Sequence, residues 1–149
     1  MIMIKNDLER IKEGFYSILN NSALLEKDEK ILIISDQSTK YLGNILKEQC
    51  KYFTHSISHI TIPAFLNHGE PVSKEIEKQM LSSTTIFGLT TKSMAHTNSR
   101  LKASENGIKY LSLPYYSEDV LKDKSLLVDF REFIKKSENL ALIFSRGKE

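Results

Sequence analysis

The stretch from Thr84 to Pro114 constrains the fold of this chain more than any other. It reads as an apolar run (Thr84–Leu89), a polar turn, a short helix stopped by Asn106-Gly107, and a second apolar run (Ile108–Leu113) closed by Pro114. Strand, helix and strand in that order form one crossover unit, and right-handed crossover units build parallel sheets. The turn into the helix holds Thr90, Thr91, Lys92, Ser93, His96, Thr97, Asn98, Ser99 and Arg100. Polar side chains where a strand gives way to a helix lie at the ligand-binding edge of an open α/β sheet.

The same grammar runs through the rest of the chain. Leu8, Ile11, Phe15, Ile18 and Leu19 recur at steps of three and four and predict a leading helix over about Asp7–Leu25. Ile31–Ile34 is a continuous apolar run, as in a strand covered on both faces. Asp36 or Ser38 is placed to cap the helix that follows, which runs to about Phe53. A second strand is expected over Ile57–Phe65 and a helix over Val72–Leu81, with Pro71 near its first turn. After the Thr84–Pro114 unit come a short helix capped by Ser117, a helix over Leu126–Lys136, and a fifth short strand over Ala141–Phe144. The expectation is one α/β domain of 149 residues: an open, mostly parallel five-stranded sheet with helices on both faces, doubly wound in the Rossmann or flavodoxin manner, plus the leading helix.

Composition narrows the partners. With 21 basic and 19 acidic residues the net charge is only +2, and the lysines are spread among glutamates rather than gathered on one face. That argues against a nucleic-acid partner. The longest apolar runs are far too short to span a bilayer and the N-terminal residues lack a signal-peptide core, so no membrane partner and a cytoplasmic location are expected. A single cysteine, Cys50, cannot form an internal disulfide and reads as a buried, inert thiol.

Chemistry is sparse. The predicted helix start at Ser93–Arg100 offers unpaired amides, a positive dipole end and hydroxyls, and Arg100 with the preceding Lys92 adds charge, which suits a carboxylate or phosphate. Ser93, His96, Thr97 and Arg100 are therefore the candidate ligand-binding residues, with Asp36 facing the same sheet edge. Simple capping by Ser93 or Thr97, with Arg100 paired to a carboxylate, explains the same residues without a ligand. Lys92-Ser93 lacks the glycines of a phosphate-binding loop, no GxGxxG follows any strand, and no GxSxG elbow is present. His55 and His59 are four apart but have no HExxH or CxxC companion, so no metal is assigned to this chain.

Asp36 after the first strand, His68-Gly69-Glu70-Pro71 before a helix, and above all Thr91-Lys92-Ser93-Met94-Ala95-His96-Thr97-Asn98-Ser99-Arg100 resemble the N-terminal domain of the aminopeptidase T family of dinuclear metalloaminopeptidases. Ala103–Gly107 matches the helix end that follows in that family, and Ser145-Arg146-Gly147 after a final strand matches the domain's edge. The resemblance implies a hydrolase family whose two divalent metals and catalytic residues belong to a separate C-terminal domain. No residue of this chain matches those ligands, so the chain is expected to bind no cofactor, to contain no catalytic residue and to be inactive alone. Its expected role is substrate access, domain packing or dimerisation, with a second copy, or a separate catalytic domain or subunit, as partner. The alternative is a stand-alone module or subunit holding an anionic small molecule or a peptide carboxylate at Ser93–Arg100.

Overall fold

A computed structural model describes residues 6–147, without the side chains of Phe130 and Glu132; Met1–Lys5, part of the segment read for a signal sequence, lie outside it. The elements run α1 (Asp7–Ser17), a π-helical turn (Ile18–Ser22), β1 (Ile31–Asp36), α2 (Lys40–Cys50), β2 (Ile57–Ile62), α3 (Lys74–Leu81), β3 (Thr85–Leu89), α4 (Asn98–Glu105), β4 (Lys109–Ser112), α5 (Glu118–Leu121), a 3₁₀ turn (Lys124–Leu127) and α6 (Phe130–Arg146). The four strands pair in parallel in the order β2-β1-β3-β4. The fold is α/β, as the sequence predicts, with four strands among the described residues rather than five.

Alternation along β1 divides its side chains between two cores. Ile31 and Ile33, with Phe87 and Leu89, pack under α1, α2 and Leu121. Leu32 and Ile34, with Ile62 and Ile86, pack under Met80 of α3 and Ala103 of α4. Strand progression reverses between β2 and β3, and the crossover helices change face at that reversal, as right-handed connections require. Local signals set the boundaries. Asn6, Ser73, Thr97, Ser117 and Asp129 each accept an amide hydrogen at a helix start. Gly107 (φ +75°) closes α4: its amide reaches Ser104 O and the Ile108 amide reaches Ala103 O, an arrangement that needs a left-handed residue there.

The fifth strand expected at Ala141–Phe144 is a correction. Those residues lie in α6, which joins them to the Phe130–Lys136 part of the helix predicted over Leu126–Lys136, while Leu126 and Leu127 fall in the 3₁₀ turn before it. A short apolar run carries no period of its own, and no glycine or proline separates Lys136 from Ala141, so nothing there stops the helix. Ser145 and Arg146 accordingly end a helix, with Gly147 as its C-cap, and that part of the resemblance loses its strand.

At the opposite edge of the sheet, Glu29 is 8% exposed and receives Lys109 Nζ at 2.5 Å, the Thr85 hydroxyl and the Glu26 amide. Burial alone would raise its carboxyl, but these hydrogen bonds outweigh that and hold it below the ordinary value.

Candidate functional site at the carboxyl edge of the sheet

In a sheet of this order the crevice between β1 and β3, where progression reverses, is the usual ligand position. Here that crevice is bridged by the protein itself. Asp36, the last residue of β1, is 1% exposed. Its Oδ1 accepts from the amides of Ser38 (3.0 Å) and Thr39 (3.2 Å) and from Thr39 Oγ1 (3.1 Å). Its Oδ2 accepts from the Thr91 amide and hydroxyl, both at 2.6 Å. Thr39 Oγ1 also donates to Leu89 O. Desolvation pushes the Asp36 carboxyl up, and the bonds from Thr91 and Thr39 more than offset it, so the group stays ionised below the ordinary range. Asp36 is thus a latch between the β1–α2 and β3–α4 connections.

The other predicted residues separate. Thr97 is the N-cap of α4: its hydroxyl accepts the Arg100 amide at 3.2 Å and donates to Met94 O at 2.9 Å, at 2% exposure. Arg100 turns its Nε back to Ala95 O. His96 is exposed on the turn. Ser93 instead faces a neighbouring loop. Its amide donates to His68 Nδ1 at 3.0 Å, its carbonyl accepts the Gly69 amide at 2.9 Å, and its hydroxyl lies 3.3 Å from Ser112 Oγ. Gly69 reaches that carbonyl from a left-handed conformation (φ +79°). Because an amide can only donate, Nδ1 is the acceptor and the neutral ring carries its proton on Nε2, which lies 2.9 Å from Tyr115 Oη. Tyr115 is itself left-handed (φ +59°), and Lys92 Nζ stands 6.0 Å from its ring centre.

His68, Lys92, Ser93 and Tyr115, with Ser112 at the end of β4, therefore gather in one surface cluster, while His96, Thr97 and Arg100 lie apart from it. Sequence reasoning picked out Ser93 but not Tyr115, whose role depends on a backbone turn after Pro114 that no periodicity announces. Beneath the cluster, the Tyr110 hydroxyl is buried over Gly88 without a hydrogen-bond partner among the described residues. Burial pushes it up to about 12, against weaker opposing pulls from Arg100 and from Ser112, which stands near but outside hydrogen-bonding geometry.

His59 does not join His55 in a metal site. Its Nε2 meets Ser35 Oγ at 2.8 Å and its Nδ1 meets Asn44 Oδ1 at 3.1 Å, while His55 is exposed. Desolvation, and then the charges of Lys47 and Lys40, lower the His59 imidazole below its ordinary value. Among the described residues no group of three or more His, Cys, Asp or Glu side chains is placed to hold a metal ion, so these residues do not fit a dinuclear centre. Cys50 is fully buried, and burial pushes its thiol up to about 12. No described helix is long and apolar enough to cross a membrane.

Protonation links these groups to stability. Asp36 and Glu29 release protons more readily folded than unfolded, so their contribution is complete above the ordinary values of 3.8 and 4.5 and is lost as pH falls below them. His59 adds to the same trend, since the unfolded imidazole takes a proton near 6.5 and the folded one resists. The melting temperature should be flat above neutrality, begin to fall below about pH 6.5 and drop steeply below about pH 4.5. His59→Gln should remove the first phase and leave the second, in thermal melts across the pH range.

A second groove lies away from this edge, on the α1 side of the sheet. It encloses about 1010 Å³ and is lined by Glu9, Tyr16, Asn20, Gln49, Tyr52 and Leu127 among others. Searches of family models, curated proteins and solved structures find no match to the chain.

Proposed function

We propose that this chain is a non-catalytic docking domain of a metal-dependent aminopeptidase-like protein of the aminopeptidase T type, serving domain packing or dimerisation. The observation that carries the reading is α6. Along its 17 residues, Ile134, Leu140, Leu142, Ile143 and Phe144 are between 49% and 75% exposed. A run of large apolar side chains facing water on one helix marks a surface meant to be covered. The family assignment rests on the Thr91–Arg100 resemblance.

Two measurements test it. The purified chain should not hydrolyse a chromogenic leucine amide with zinc, with cobalt or without added metal; metal-dependent turnover that survives repurification contradicts the reading. Light scattering should give a mass above the monomer that rises with concentration, and Ile143→Glu with Phe144→Glu should return it to the monomer. Wild-type protein that stays monomeric and recovers no partner domain would sink the proposal.

A second reading, a site for a carboxylate or phosphate, is favoured by the His68–Lys92–Ser93–Tyr115 cluster. It expects phosphate or a dipeptide to raise the melting temperature and Lys92→Ala to abolish the gain.

A further inference from the structure

We infer that the His68–Lys92–Ser93–Tyr115 cluster is built for a singly charged carboxylate and not for a dianionic phosphate. This rests on the second reading above and names the ligand class of that site.

The order of protons in the cluster follows from one fixed donor. The Ser93 amide can only donate, so His68 Nδ1, 3.0 Å away, accepts and the ring proton sits on Nε2. Nε2 then donates to Tyr115 Oη at 2.9 Å. A phenol that accepts from the ring keeps its own hydrogen, and Tyr115 is 60% exposed, so that hydrogen is offered to the surface. The paired serines add a second hydroxyl donor. Ser93 Oγ accepts the Ala95 amide at 3.1 Å, and its bond to Ser112 Oγ at 3.3 Å uses one of the two serine hydrogens, leaving the other free. That hydrogen is not spent below, because Tyr110 Oη has no hydrogen-bond partner among the described residues. Lys92 completes the set. Its Nζ stands 6.0 Å from the Tyr115 ring centre and has no hydrogen-bond or ion-pair partner among the described residues.

Charge and donor count select the ligand. One ammonium and two hydroxyl hydrogens match the single charge and two oxygens of a carboxylate. A phosphate dianion would bring twice the charge and a third oxygen to the same donors. The amides of Gly69, Ser93 and Ala95 already donate within the protein, so they add nothing for it. Glu70 follows in the loop that supplies His68, its carboxylate accepting the Asn67 amide at 2.6 Å, and it opposes a dianion twice as strongly as a monoanion. The donors are also set before any ligand arrives. Ser93 ties the His68–Gly69 turn through both its amide and its carbonyl, and Tyr115 is held at φ +59°, a backbone that bulky residues rarely adopt. Donors fixed in advance lose little freedom on binding.

The test is an amide-resolved NMR titration of the full chain at fixed ionic strength and slightly alkaline pH, where acetate is a monoanion and inorganic phosphate mainly a dianion. Acetate should move the Ser93 and Tyr115 amides along a saturating curve, and phosphate should leave them in place. Tyr115→Phe should weaken acetate about tenfold, the size of one hydrogen bond to a charged group, and Lys92→Ala should abolish the curve. Unchanged acetate affinity in Tyr115→Phe overturns the inference. Ring nitrogen shifts of His68 in the free protein should place its proton on Nε2; a proton on Nδ1 breaks the donor order and overturns it as well. Phosphate moving the same amides, with or without acetate, overturns the carboxylate assignment and leaves an anion site standing. If neither anion moves them, the site and the inference fall together. Alanyl-alanine and its C-terminal amide separate the two sources of a carboxylate. An acid that binds far more tightly than acetate, with no binding by the amide, marks a peptide C-terminus; an acid that binds no better than acetate marks a small free acid.

Discussion

Replacing Asp36 by alanine should cost about 3–5 kcal/mol, placing it among the most damaging single changes available to this chain. The substitution removes one buried carboxylate and strands the amides of Ser38 and Thr91 and the Thr91 hydroxyl, while Thr39 keeps its bonds to Leu89 O and to the residue-36 carbonyl. For a chain of this length the melting temperature should fall by about 10 °C. Asp36→Asn should fall between wild type and alanine, because its single oxygen can serve the Ser38–Thr39 side or the Thr91 side but not both. Thr91→Val, which deletes only the hydroxyl bond, should cost about 1–2 kcal/mol. Chemical denaturation of the three variants checks the order. If Asp36→Asn leaves stability unchanged and alters ligand binding instead, Asp36 is a site residue and not a latch.

Gly14→Ala should also be strongly destabilising, against the usual sign. An alanine in a helix interior ordinarily gains about 1 kcal/mol over glycine. At Gly14, however, an added Cβ would lie 2.1 Å from the carbonyl oxygen of Leu121 and 3.0 Å from its carbonyl carbon. Both are backbone atoms, so no side chain can turn aside, and α5 must lift off α1. That would uncover Leu121, now 1% exposed, at a net cost of roughly 2–4 kcal/mol. Urea denaturation reads the result. A neutral or stabilising outcome would mean that α5 is not seated on Gly14.

Much of the fold was legible because each strand carries its own signal. Ile31–Ile34 is apolar on every position, so burial on both faces follows from the residues alone. Asn106-Gly107 announced the end of α4, and Gly107 has the left-handed backbone that stop requires. The fifth strand failed for the converse reason. Leu140–Phe144 is as apolar as a buried strand, and only its place in the stripe running back to Phe133 and Ile134 marks it as helix. The candidate site was less legible still. Thr97 and Arg100 are consumed by capping and by Ala95 O, whereas the partners of Ser93 come from residues 25 and 19 positions away. Contacts between loops of different crossovers leave no trace in local spacing.

The central claim is that α6 is a surface covered by another chain, and hydrogen exchange tests it most directly. A single exposed helix of this length is marginal in water, so the amides of residues 130–146 should exchange rapidly in dilute solution. At concentrations where the protein associates, those amides should become strongly protected, while the amides of β1 and β3 stay as slow as before. If α6 exchanges equally fast at every concentration, the helix is uncovered in solution and the docking account is contradicted.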